Sequence, residues 1–215
     1  MPKVKVARKS TSIDMTAMCD VAFLLLSFFI LTTKFKPSEV LAVTTPNSVS
    51  HTIAPENDVV LITMDKDGKV FFSVSDKNTA EKSEIINTIS TSKNLNLTDA
   101  QKKNFVRANS FIGVPFSQLS GFLSTAPDDI KKLKMSGIPV TDSSNNQLND
   151  WMLAAKGAFE GKKMQLLVKG DNNAKYPSFQ GILDAFKKND LLKFQMVTNP
   201  EGVPAGSELS KLPKK

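Results

Sequence analysis

Four side chains in and around the first apolar segment fall on one face if that segment is helical. Thr16, Asp20, Ser27 and Lys34 form a stripe roughly 40° wide at about 100° per residue. A single helix in lipid gains nothing from such a polar seam. A helix inside a larger membrane assembly can turn it toward a wet cavity or toward a partner's hydroxyl groups. Because Asp20 is the carboxylate in this seam, we interpret it as a candidate functional residue.

The segment that contains the seam, residues 15–35, has the length and composition of a transmembrane helix. Its central run, residues 21–31, is apolar apart from Ser27, and the whole segment supplies the roughly 20 residues that a bilayer requires. Hydroxyl side chains are tolerated there because they can bond back to their own helix. Asp20 is the costly residue, since an aspartate at the centre of a span costs about 2.5–3.5 kcal/mol on insertion scales. Asp20 lies nearer one end and costs less, but it still requires water or a partner.

Two other interpretations of this segment stay open. A secretory signal peptide would fit the basic start of the chain, but Asp14 and Asp20 precede the apolar core and no small-x-small cleavage site follows Leu31. A simple anchor would place Asp20 at the headgroups. An intramembrane carboxylate is by default a functional hypothesis, which favours a role beyond anchoring.

The charge distribution predicts the orientation and excludes one class of function. The first twelve residues contain four basic side chains and no acidic one, so residues 1–14 are predicted to be a cytoplasmic tail. From residue 37 onward there are 22 basic and 19 acidic residues. The overall charge of +7 therefore comes largely from the N-terminal tail, which argues against a nucleic-acid-binding surface.

The exported part carries no recognisable catalytic or metal-binding pattern. The single cysteine, Cys19, lies in the span, so disulfides and thiol chemistry are not expected beyond it. The single histidine, His51, lies in a linker-like stretch. Zinc, catalytic-triad and phosphate-loop spacings are missing. The sequence thus predicts no enzyme, no cofactor and no metal.

Beyond the span, the pattern predicts a linker, an α+β domain and a disordered tail. Residues 36–57 are rich in proline, serine and threonine, and the stretch LAVTTP, residues 41–46, is a possible edge strand. The domain covers residues 58–198, and residues 199–215 form the tail. In the first half of the domain, a β-hairpin is predicted over 58–64 and 69–75, with a DKDG turn. Four helices are predicted after it: one over 80–92, one that starts at a capping box formed by Thr98 and Gln101, one over 115–124 and one over 127–135.

The second half of the domain has a repeated helix and strand order. A helix is predicted over residues 147–160 and stopped by Gly161, with core side chains Trp151, Leu153, Ala154 and Ala158. A strand over 163–169, a loop, a helix opened by Pro177 and a strand over 191–198 complete it.

The span carries a motif that resembles the ExbD/TolR family of proton-channel stator proteins. IDMTAMCDV, residues 13–21, is similar to that family's I-N-x-T-P-x-x-D-V pattern. The resemblance places Asp20 on the family's essential intramembrane aspartate and Thr16 on its threonine. Ala17 stands where the motif has proline and Asp14 where it has asparagine, so the local geometry at the start of the span departs from the family pattern.

The C-terminal region, residues 148–198, is similar to the periplasmic helix–strand–helix–strand half of the same family. GDNNAKY, residues 170–176, matches its A-D-x-x-x-x-Y loop and places Asp171 and Tyr176 as candidate functional residues. Leu192 falls on a leucine at the start of the family's last strand.

The resemblance implies a fold and a function. The fold class is α+β, with a single transmembrane helix, a flexible linker and a small periplasmic domain. The implied protein is an inner-membrane subunit of a TonB–ExbB–ExbD type system, present as a homodimer inside a ring of ExbB-like polytopic subunits. Protonation of the aspartate would couple proton-motive force to a TonB-like partner and to transport through the outer membrane. The alternatives are a TolR-like envelope-integrity protein and a membrane-anchored periplasmic scaffold with no proton role.

Residues 76–146 have no counterpart in compact members of that family and are predicted to be a helical insertion. They carry four phenylalanines at helical positions, so a disordered loop is not expected: Phe105, Phe111, Phe116 and Phe122. Two hypotheses stay open. The insertion enlarges the hydrophobic core, or it forms a docking surface for an envelope partner.

Overall fold

The computed structural model describes residues 15–32, 41, 43–50, 54–107, 110–130, 133 and 135–202. The chain divides into two compact units, residues 1–38 and residues 39–215. Predictions about the cytoplasmic tail, Lys34 and His51 lie outside the described residues.

In the first unit, helix α1 spans Met15–Thr32. Within the described residues, it is the helix long and apolar enough to cross a membrane. Its hydroxyl groups bond back to their own helix as predicted. Ser27 Oγ donates to the Leu24 carbonyl at 2.9 Å, and Thr32 Oγ1 donates to the Phe28 carbonyl at 2.7 Å. These bonds lower the cost of placing hydroxyl groups in an apolar segment.

The second unit is a mixed five-stranded sheet covered by helices, so the predicted α+β class is confirmed. The strands are β1 Asn47–Ser48, β2 Val59–Met64, β3 Val70–Val74, β4 Phe111–Ile112, β5 Gln165–Gly170, β6 Gln195–Met196 and β7 Asn199–Pro200. The order in the five-stranded sheet is β4-β3-β2-β5-β6. Strand β2 pairs antiparallel to β3 and parallel to β5, β3 pairs antiparallel to β4, and β5 pairs parallel to β6. The helices are α2 Thr79–Ser92, α3 Asp99–Val106, α4 Phe116–Ser124, α5 Pro127–Ile130, α6 Leu148–Ala158 and α7 Tyr176–Lys188, with a 3₁₀ turn at Ser143–Asn145.

The predicted hairpin is confirmed, and its turn explains the register. Val60 pairs with Val74 and Met64 with Val70. In the DKDG turn, Gly68 N–H donates to the Asp65 carbonyl at 3.0 Å. Gly68 takes a φ of +81°, which glycine adopts without steric cost. Asp67 does not share this conformation, so the glycine alone of the Asp-Gly pair supplies the positive φ.

The core lies between the sheet and helices α2 and α6, with Trp151 of α6 at its centre. Trp151 is fully buried. Its ring stacks on three phenylalanines, with centroid distances of 5.2 Å to Phe72, 5.9 Å to Phe105 and 5.7 Å to Phe116. Phe105 and Phe116 come from the predicted insertion, and Phe72 comes from β3. The described part of that segment therefore packs into the same core as the hairpin, as the enlarged-core hypothesis requires.

Two helix predictions needed correction. Leu153 was predicted to be a core residue, but its side chain is 59% exposed. It follows Trp151 by two positions, which turns it about 200° away around α6. The helix predicted over 127–135 is observed as α5 over Pro127–Ile130. Of the later residues in that range, the structure describes Leu133 and Met135, and neither is helical. Further on, the Ile138 N–H donates to the Val70 carbonyl at 2.8 Å.

The strand predicted over 191–198 is also shorter than expected, because its first residues close the preceding helix. Leu191 N–H donates to the Phe186 carbonyl at 2.9 Å, and the strand is limited to β6 at the sheet edge. The predicted disordered tail begins too early, since its first two residues form β7.

Glu81 on α2 forms an ion pair with Lys162, which follows α6. The hydrogen bond from Lys162, together with one from Asn78, lowers the pKa of Glu81, and the same pair raises the pKa of Lys162. A carboxylate with a lowered pKa stabilises the fold above its unfolded-state pKa, and this stability is lost as the pH falls through the folded-state value.

We expect Glu81→Gln to lower the free energy of unfolding by about 1 kcal/mol at pH 7. The loss stays modest because Lys162 is half exposed and keeps its hydration. The difference from wild type should persist from pH 5 to about 10 and shrink below about 4.5. Denaturant titration across this range measures it, with the exposed Glu160→Gln as control. A difference that grows toward acid pH would contradict the assignment.

Candidate functional site

Asp20 lies in the first half of α1, and no other residue of that helix carries a charge. Thr16 precedes it by one turn, and Ser27 follows it by two turns. Because α1 is a continuous helix, these three side chains share the face that the sequence pattern predicts. The Ser27 hydroxyl donates within its own helix, yet its oxygen can accept further hydrogen bonds.

Asp171, at the end of β5, fixes a segment that precedes the domain. One carboxylate oxygen, Oδ2, accepts from the Thr44 N–H at 2.9 Å, and the other, Oδ1, accepts from the Asn173 N–H at 2.9 Å. Asn172 N–H donates to the Thr44 carbonyl at 2.9 Å. The carboxylate therefore closes its own loop and docks Thr44 onto that loop.

The same segment is held on its other side by the end of the domain. We call residues 43–48 the strap. Asn199 N–H donates to the Pro46 carbonyl at 2.9 Å, and Asn199 Nδ2 donates to the Thr45 carbonyl at 3.2 Å. Strands β1 and β7 pair in parallel, with Asn47 opposite Asn199. Thr45 is buried as a result.

The strap corrects the prediction for LAVTTP as a sheet-edge strand. The described part of that stretch docks on the loop after β5, and the strand begins one residue after it, at Asn47. Its partner β7 lies outside the five-stranded sheet. Sequence reasoning missed Thr44 and Asn199 as site residues. The available signal was weak: Asn199 follows the last strand directly, at a position where an amide can bond to neighbouring backbone groups.

The hydrogen bonds from Asn173 and Thr44 N–H, with a smaller contribution from Lys66, lower the pKa of the Asp171 carboxyl below its ordinary value of 3.8. The docking contact is therefore complete above that value and is lost as the pH falls through the lowered pKa. The Asp171 carboxylate therefore accepts from the Thr44 N–H throughout the neutral pH range.

Leu192 does not lie in one cluster with Tyr176. Tyr176 is the first residue of α7, whereas Leu192 lies beyond its other end, so a helix of about 20 Å separates them. Leu192 precedes β6 instead of beginning it. Both side chains are largely exposed, at 69% and 67%. Both are therefore surface positions and not core positions, and single exposed apolar side chains are common on protein surfaces.

Among the residues that the structure describes, no group of three or more histidine, cysteine, aspartate or glutamate side chains is arranged to hold a metal ion. The polar contacts of the site are instead carboxylate and amide bonds to backbone groups. Such contacts position segments and carry no bond-breaking chemistry.

The family model for the biopolymer transport protein ExbD/TolR matches residues 7–201. The chain belongs to the ExbD/TolR family. No curated protein and no solved structure matches the chain. Members of the ExbD/TolR family are membrane-associated transport proteins and are not enzymes in general. Together with α1, family membership indicates a single-pass membrane protein.

We expect Asp171→Ala to loosen the strap of this ExbD/TolR protein at Thr44. The Thr44 N–H loses its acceptor, and hydrogen exchange at Thr44 should become roughly tenfold faster. Exchange at Asn199 should rise less, because the strand pair with β1 remains. Hydrogen exchange with mass spectrometry or NMR on the full chain measures both. Asp142→Ala is the matched control, since Asp142 bonds only to Ser144 nearby. Unchanged protection at Thr44 would contradict the docking role.

Proposed function

We propose that this protein is the proton-carrying subunit of an inner-membrane motor that couples proton-motive force to transport across the outer membrane. The observation that carries the proposal is Asp20, the lone charged side chain of α1, in a chain of the ExbD/TolR family. A carboxylate in an apolar span is costly, and its retention favours a functional role.

The chemistry of a carboxyl group fits this role. Low dielectric surroundings favour the neutral form, so a protonated carboxyl group passes an apolar wall more easily than a charged one. The charged form seeks water or a hydroxyl donor of a partner chain. One elementary charge that crosses 100 mV releases about 2.3 kcal/mol. Alternate protonation and release at Asp20 would therefore couple the membrane potential to movement.

Charge and family membership support the proposed arrangement. The N-terminal tail stays in the cytoplasm because of its basic residues, and the second unit lies in the periplasm. Two copies of this chain pair inside a ring of ExbB-like polytopic subunits, and the periplasmic domain acts on a TonB-like protein. Asp171, Tyr176 and Leu192 are the candidate periplasmic residues, Asp171 through the strap and the other two through their exposed side chains.

Affinity purification from native membranes tests the partners. We expect a polytopic membrane protein to copurify in several copies with two copies of this chain, as shown by mass spectrometry of the intact complex. A chain that purifies without any polytopic partner would support a passive anchored scaffold and contradict the motor role.

Two phenotypes of a deletion strain separate the family roles. Loss of growth on a scarce nutrient that needs energised outer-membrane uptake indicates an ExbD-like role. Sensitivity to detergents with normal uptake indicates a TolR-like role in envelope integrity. We expect the first outcome.

A further inference from the structure

A second polar site lies in the second unit. An open cavity of about 490 Å³ is bounded by the β2–β3 turn, by the loop over residues 136–141, and by the first turns of α4 and α7. Its size exceeds that of a single ion and is sufficient for a small organic molecule. Residues from four separate parts of the chain line this cavity. It therefore differs from a shallow depression formed by a single surface loop.

Ser178 is the buried polar side chain of this cavity. The residue is 5% exposed and lines the cavity wall. Within the described part of the chain, its hydroxyl group makes no hydrogen bond and is not sealed from solvent. Buried hydroxyl groups normally have a partner. A hydroxyl group left available on the wall of a cavity points to a ligand that supplies one.

Two helices, α4 and α7, begin at this cavity. Pro115 is the N-cap of α4 and Lys175 is the N-cap of α7, and neither residue caps its helix through its side chain. In α4 the Phe116 N–H donates instead to Gln147 Oε1 at 2.8 Å. Both N-cap residues line the cavity. The N-terminus of a helix carries partial positive charge that attracts anions, so the first turn of α7 favours a negatively charged occupant.

The charged side chains that line the cavity also favour an anionic occupant. Lys69 and Lys175 line the cavity, against one acidic residue, Asp67, which is exposed. In the described residues, neither lysine takes part in a salt bridge. The unpaired cations add to the field of α7. Together they oppose a cationic occupant and attract an anionic one.

The turn glycine keeps the space beside Ser178 open. A Cβ atom at Gly68 would lie 2.6 Å from Ser178 Oγ, and the φ of +81° at this position also disfavours other residues. Any side chain here would block the hydroxyl group. Gly68 thus serves the hairpin turn and leaves the hydroxyl accessible.

We propose that this cavity binds the anionic group, a carboxylate or a phosphate, of a small organic molecule. The Ser178 hydroxyl donates to the anion, Lys175 and Lys69 neutralise it, and the first turn of α7 supplies the helix field. The site goes beyond the proton-motor function, because it would give the periplasmic unit a solute ligand. Its wall includes the end of the loop that begins at Asp171 and docks the strap, so an occupant would contact that loop at Lys175.

NMR titration of the full-length protein in detergent micelles tests this site. The probes are succinate, phenyl phosphate and inorganic phosphate, each compared with sodium chloride at equal ionic strength. We expect saturable shifts of the Gly68 and Ser178 amide signals with at least one organic anion. Ser178→Ala and Lys175→Gln should each weaken binding about tenfold. Lys187→Gln, at the other end of α7, should bind as wild type does.

The probes separate the chemical classes. Tighter binding of succinate indicates a carboxylate ligand, and tighter binding of phenyl phosphate indicates a phosphate ester. Three results would overturn the proposal: no saturable shift with any probe, equal shifts with chloride, or equal weakening by Lys187→Gln and Lys175→Gln. Because Lys175 is exposed, its replacement leaves the fold intact and keeps the test decisive.

Discussion

Asp20→Asn is expected to abolish energised transport while the protein still inserts and joins its complex. Asparagine matches aspartate in size and hydrogen-bonding reach, but it cannot release a proton. The neutral amide also costs less to place in the span than a charged carboxylate, so insertion is not impaired. Growth on a scarce nutrient that needs outer-membrane uptake should fall to the level of the deletion strain.

The control for this variant is Cys19→Ser, a polar change one residue away on the same helix. Cys19 is about 100° around α1 from Asp20 and off the polar seam. Its replacement should leave uptake at the wild-type level. Membrane content and copurification of the ring partner must be equal in both variants. Normal uptake with Asp20→Asn would remove the carboxylate from the mechanism.

Trp151→Ala is expected to lower the free energy of unfolding of the second unit by about 3–5 kcal/mol. The indole ring is fully buried and stacks on three phenylalanines, so its removal leaves a large cavity that rigid neighbours cannot fill. Far-ultraviolet circular dichroism during denaturant titration of the full chain measures the loss.

Leu153→Ala, on the exposed face of the same helix, is the matched control and should change stability by less than about 0.5 kcal/mol. The comparison also tests the place of residues 76–146 in the fold, since two of the three stacking partners come from that segment. If Trp151→Ala cost no more than Leu153→Ala, the enlarged-core hypothesis would fail and the docking hypothesis for this segment would regain support.

The sequence predicted the elements whose signals are local. The hairpin could be predicted because a turn glycine separates two apolar runs. The capping box of α3 is also confirmed: the Thr98 side chain accepts from the Gln101 N–H, and the Gln101 side chain accepts from the Thr98 N–H. The start of α7 was readable from Pro177. In each case, residues within four positions of one another determine the conformation.

The contacts that depend on distant parts of the chain were not predictable. Thr44 and Asp171 are 127 positions apart, and no periodic pattern links them. The strand predicted over 191–198 is shorter in the structure because its first residue bonds to the C-terminal end of α7. β propensity alone does not account for this contact. The assignment of Leu153 to the core was wrong because it rested on hydrophobicity alone, whereas the position of Leu153 around α6 places its side chain on the exposed face.

Proton flux through the purified complex tests whether Asp20 carries protons. The complex of this chain with its ring partner is reconstituted in liposomes, a membrane potential is imposed, and internal pH is followed with a trapped dye. We expect a potential-driven proton flux with the wild-type chain and with Cys19→Ser, and none above empty liposomes with Asp20→Asn. An undiminished flux with Asp20→Asn would contradict the assignment of Asp20 as the proton carrier.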